Sequence, residues 1–73
     1  MNGIQLVRMV NDISNFFSSE KDVEVAAAGV VGHIGKFWNP RMRKQLIEHS
    51  KKSDGEGLSE LSLMVVNRLD NLD

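Results

Sequence analysis

The chain has 73 residues, 41% of them hydrophobic and 26% charged, with a net charge of −1 and no cysteine. Disulfide scaffolds and thiolate metal sites are excluded, one domain over residues 1–73 is all the length allows, and no global charge draws the chain to nucleic acid or an anionic membrane. No apolar run approaches the roughly 20 residues of a bilayer span, and no signal-peptide pattern opens the chain, so cytoplasmic residence is expected.

A first helix is expected from about Ile4 to Ser18. Leu6, Met9/Val10, Ile13 and Phe16/Phe17 recur at three and four residues, which is one helix face. Asn2 is placed to cap it, and Arg8, Asn11, Asp12 and Asn15 fall on the other side. The polar run Ser18 to Asp22 reads as a connection. It offers Ser19 or Asp22 as the next cap, with Glu24 favourably near the helix start.

A second helix is expected from about Val23 to Trp38, with Val23, Ala27, Val30, Ile34 and Phe37 as its stripe. Gly29, Gly32 and Gly35 interrupt it, each costing about 1 kcal/mol against alanine inside a helix. One reading has the glycines admit a close neighbour; the other makes the segment a strand or hairpin. Helix is favoured, because strand alternation fails at Ala26-Ala27-Ala28 and again at Phe37-Trp38.

A third helix is expected from about Pro40 to Lys51. Asn39 caps its start, and Pro40 sits at the first helical position, where a missing N–H costs nothing. Met42 and Leu46 share one side with His49, and Ile47 flanks them. The run Ser53-Asp54-Gly55-Glu56-Gly57 ends the helix, with glycines suited to a left-handed cap. A fourth helix follows from about Glu60 to Leu69 or beyond. Ser59 is its cap, Leu58 and Leu63 form a hydrophobic staple, and Leu61, Met64/Val65, Leu69 and Leu72 make the apolar face. The expected fold is all-α: a small single domain of about four short amphipathic helices in an orthogonal or bundle-like array. So short a chain, without covalent or metal staples, builds a small core, and an oligomer or a larger partner is the natural way to complete it.

Charge is unevenly placed. From Lys36 to Lys52 there are six basic residues and one acid, Glu48, whereas the remainder carries three basic residues and nine acids. The basic segment contains Phe37-Trp38-Asn39-Pro40-Arg41-Met42-Arg43-Lys44, with the only tryptophan and the only proline. Cations in a first helical turn oppose the macrodipole, which points to a use outside the helix. Phe37, Trp38, Pro40, Arg41, Met42, Arg43 and Lys44 are therefore the candidate partner-binding residues. The arginines suit carboxylates or phosphates. Trp38 has two readings: an interface anchor, or a core residue closing the second helix against the third. Nucleic-acid binding is the weaker alternative, because the rest of the chain is acidic.

Catalytic machinery is not apparent. His33 and His49 have no acidic or nucleophilic partner at helical spacing, and Gly29-x-x-Gly32-x-x-Gly35 lacks the spacing of a phosphate loop. Met9, Met42 and Met64 read as core filler. No catalytic residue, metal ligand or cofactor-binding residue is expected in this chain.

Three segments carry a family resemblance. Leu6, Arg8, Met9 and Asn11 stand in the first. His33, Ile34, Phe37, Trp38, Pro40, Arg41, Met42 and Arg43 form the second, and Gly55, Gly57 and Leu58 the third. In this order they resemble the delta subunit of soluble NAD-dependent formate dehydrogenase. Gly35 departs from the pattern, which has a longer polar residue there. The resemblance implies a cofactor-free accessory subunit that binds the large catalytic subunit, stabilising it or aiding its assembly. Its partners would carry molybdopterin guanine dinucleotide, iron–sulfur clusters and FMN. A free-standing cytoplasmic adaptor or a transient assembly factor is the alternative, and the isolated chain can form a homo-oligomer.

Overall fold

The computed structural model describes residues 2–72. Its elements are α1 (Gly3–Phe17), α2 (Val23–Phe37), α3 (Pro40–Ser53) and α4 (Glu60–Leu72). Each begins where a polar side chain satisfies a free backbone N–H. Asn2 accepts from the Gln5 N–H at 2.9 Å while the Gln5 side chain accepts from the Asn2 N–H at 3.2 Å, a reciprocal capping box. Asp22, rather than Ser19, caps α2 by accepting from the Glu24 N–H at 2.9 Å. Asn39 accepts from the Met42 N–H at 2.9 Å, with Pro40 opening α3. The Ser59 hydroxyl accepts from the Ser62 N–H at 3.1 Å at the head of α4.

The third helix runs two residues past the expected Lys51. Its end is made by Asp54, not by a glycine: Asp54 takes the left-handed conformation at φ 55°, and Gly55 and Gly57 follow with φ 76° and 85°. Aspartate tolerates that region better than most side chains, which is why the helix can continue up to it. Gly55 then returns its N–H to the Ser50 carbonyl at 2.9 Å.

The helices are not packed in sequence order. α2 lies against α4 and α1, and α3 lies against α1 and α4, while α2 and α3 touch little beyond their shared elbow. The core takes Leu6, Val7 and Val10 from α1, Ala27, Val30 and Ile34 from α2, Leu46 and Ile47 from α3, and Val65, Val66 and Leu69 from α4, with Trp38 at the elbow.

The apolar stripes are real but frayed at their ends. In α1, Phe16 is 80% exposed, Met9, Ile13 and Phe17 are half-buried, and Val7 is buried instead. The face is rotated because Ser14 is inside, where its hydroxyl accepts from the Ser62 hydroxyl of α4 at 2.9 Å. In α2 the stripe holds at Ala27, Val30 and Ile34, while Val23 and Phe37 are exposed. In α4, Val66 is buried and Leu72 is not; of the expected staple, Leu58 packs half-buried on the core and Leu63 lies exposed beside Gly55.

Candidate functional site

The corner between α2 and α3 is set by local chemistry. The Trp38 N–H still bonds to the Ile34 carbonyl at 2.9 Å, but Trp38 itself is extended, at φ −99° and ψ 139°. Asn39 and Pro40 then start α3 at once. This abrupt change of direction turns two neighbouring aromatics opposite ways. Trp38 is 6% exposed and belongs to the core, whereas Phe37 is 70% exposed. Trp38 as a surface anchor is thus corrected: its ring is consumed by packing within this chain. Phe37 is the exposed aromatic, its ring stacked on His33 with centroids 4.7 Å apart and planes tilted by 40°.

The basic residues divide in the same way. Pro40, Arg41 and Lys44 are exposed, and Met42 and Arg43 are half-buried. Arg41 and Lys44 are three apart and share a side of α3, whereas Arg43 leaves on another. Arg43 borders a hollow lined by Val31, Gly35, Leu69 and Leu72. Among the described residues, the ion pairs are Lys51–Asp70 at 3.4 Å and Arg68–Glu24 at 2.6 Å, and neither includes a cation of the corner. Arg41, Arg43 and Lys44 thus have no ion-pair partner among the described residues.

The remaining candidates of the sequence have structural surroundings. His49 is half-buried over the start of α1, where a side chain on Gly3 would run into its ring. Among the described residues no group of three histidine, cysteine or acidic side chains is placed to hold a metal ion. Without cysteine the chain has no thiolate for an iron–sulfur cluster. A hollow of about 840 Å³ lies between the end of α1 and the starts of α2 and α4, with Asn11, Ser14, Glu20 and Glu60 among its walls.

Residues 5–66 match the model of one protein family, NADH-dependent formate dehydrogenase delta subunit FdsD. The chain belongs to this delta-subunit family. No curated protein and no solved structure matches it. The span shared with the delta subunits takes in the whole corner from Phe37 to Lys44 and the segment from Gly55 to Leu58, and it stops before Arg68 and Leu72 of α4.

Within that span one polar residue was missed. Asn11, assigned by spacing to the outer side of α1, is half-buried and grips the loop before α4. Its side-chain amide donates to the Gly57 carbonyl at 2.8 Å, and its oxygen accepts from the Ser59 N–H at 3.0 Å. The first and third delta-subunit segments therefore meet in space. The signal was present only as the co-occurrence of Asn11 and Gly57 in those segments; helix periodicity carries no information about a contact 46 residues apart.

Proposed function

We propose that this chain serves formate dehydrogenase as a non-catalytic subunit, holding or helping to assemble the molybdenum-containing catalytic subunit. Molybdopterin guanine dinucleotide, iron–sulfur clusters and FMN then belong to the other subunits, and this chain contributes a surface. The docking residues are Phe37, Pro40, Arg41 and Lys44, with Met42 and Arg43 at the edge and Trp38 beneath them as the residue that positions the corner.

The observation that carries this reading is an exposed phenylalanine at the same elbow as two exposed cations, Arg41 and Lys44, that have no ion-pair partner among the described residues. An exposed aromatic ring and exposed guanidinium and ammonium groups at one elbow are the composition of an interface hot spot facing carboxylates. The corner loses little by being left open in the free chain, because the charges are solvated, and it gains when a complementary partner closes over it.

The test is co-expression of the tagged chain with the remaining formate dehydrogenase subunits, followed by affinity purification and size exclusion. The wild-type chain is expected to co-elute with the molybdenum subunit, and Arg41→Ala/Lys44→Ala to lose most of that association while keeping its helical spectrum. Undiminished association in the double variant would remove the corner from the interface. Co-elution only with cofactor-free catalytic subunit would make the chain an assembly factor.

A further inference from the structure

A second face of the molecule is open, between α2 and α4. Two adjoining hollows of about 480 and 200 Å³ share Val31 and Leu72 as walls. Leu72 stands 73% exposed there. Two cations line the groove. Arg68 is already committed to Glu24 at 2.6 Å. Arg43 is half-buried beside Gly35, Leu69 and Leu72, and among the described residues no carboxylate lies within ion-pair distance of it. A guanidinium seated among aliphatic side chains, with its donors unspent, is complementary to a carboxylate arriving from outside.

The groove is also shallow where a helix would have to come close. Four of the chain's glycines have reasons within the chain. Gly29 leaves room for the Phe17 ring, Gly3 for the His49 ring, and Gly55 and Gly57 hold positive φ. Gly32 and Gly35 do not: among the described residues nothing lies within 4 Å of where their Cβ atoms would stand. Each weakens α2 by about 1 kcal/mol relative to alanine without an internal cause.

We infer that this groove seats an apolar, carboxylate-bearing helix of the partner subunit. Its carboxylate meets Arg43, its side chains cover Val31 and Leu72, and its backbone passes close over Gly32 and Gly35. The inference rests on the subunit reading above and adds a face distinct from Phe37, Arg41 and Lys44. Charge defines this occupant: Arg68 is already neutralised by Glu24, and Arg43 beside the aliphatic walls has no ion-pair partner among the described residues, so what covers the groove brings a carboxylate to Arg43.

The same co-purification, made quantitative by titrating the tagged chain against the remaining subunits, tests this. Gly32→Gln replaces a glycine facing open space with a good helix former, so the free chain should fold; circular dichroism checks it. Its affinity for the complex is expected to fall at least about tenfold, the scale of one lost hot-spot contact. Leu72→Glu and Leu72→Lys change an exposed residue in the last turn of α4 to side chains of similar length and opposite charge. The glutamate variant should bind several-fold more weakly than the lysine variant, since it faces the incoming carboxylate. Wild-type affinity in Gly32→Gln, or equal losses in the two Leu72 variants, overturns the inference while leaving the subunit reading intact if Arg41→Ala/Lys44→Ala still weakens association. Failure of the wild-type chain to co-purify removes both. A free-chain dimer that Gly32→Gln dissolves would assign the groove to a second copy and overturn the inference as well.

Discussion

Asn11 and Gly57 are joined across 46 residues of sequence by a 2.8 Å hydrogen bond from the asparagine side chain to the glycine carbonyl, and the same side chain accepts from the Ser59 N–H at 3.0 Å. One amide on α1 thereby fixes the connection between α3 and α4. Gly57 has the backbone for it, at φ 85°, and a Cβ there would sit 3.5 Å from the Val7 side chain, an ordinary contact; conformation, not space, requires the glycine. Asn11→Ala removes both bonds. It should cost about 1–2 kcal/mol, read as a lower thermal midpoint with an unchanged far-ultraviolet spectrum in the folded baseline. A midpoint equal to wild type would show that solvent replaces both bonds without loss.

The buried hydroxyl pair Ser14–Ser62 makes a second long-range tie. Ser62 donates to Ser14 at 2.9 Å, and Ser59 donates to Ser62 at 3.0 Å. Replacing one serine by alanine strands a polar partner away from water, and replacing both removes the mismatch. Ser14→Ala and Ser62→Ala should each destabilise by about 1 kcal/mol, and the double variant by less than their sum. Strict additivity in a denaturant-melt cycle would mean that the two hydroxyls are not coupled.

Glycines in one helix should respond with different signs or sizes to the same substitution. Gly32→Ala meets open space and should stabilise the free chain by about 1 kcal/mol. At Gly29 the new Cβ would come within 2.6 Å of the Phe17 ring, which must move aside, so Gly29→Ala should give a clearly smaller gain or a loss. Equal thermal shifts for the two variants would contradict the packing of Phe17 on α2.

Phe37 and Trp38 separate folding from docking. Trp38→Ala empties a buried site, and such truncations cost about 3–5 kcal/mol, which is comparable with the whole stability of a domain this small. The isolated variant is expected to lose its cooperative melt. Phe37→Ala alters an exposed ring and should leave the midpoint within about 0.5 kcal/mol of wild type while weakening association with the catalytic subunit. A stable Trp38→Ala chain, or a Phe37→Ala chain that melts early, would reverse the roles given to the two rings.

What the sequence determined lies within a turn or two of helix. Asn2 and Asn39-Pro40 open their helices as capping chemistry dictates, and the same chemistry narrows the cap of α2 to Ser19 or Asp22, because a side chain reaches N–H groups only two or three residues ahead. Gly55 and Gly57 mark the break between α3 and α4 for an equally local reason: their backbone conformations exclude most other residues. Only the tertiary structure decided which way the elbow turned its aromatics, sending Trp38 inward and Phe37 outward, since both positions border the same stripe and burial depends on where α1 and α4 lie. It also decided that Asn11 would bond the loop before α4 instead of facing outward, that Ser14 would pair with Ser62, and that Gly29 is filled while Gly32 and Gly35 stand open among the described residues. Those outcomes depend on contacts between segments tens of residues apart, and periodicity within a helix records which residues share a face but not what that face meets.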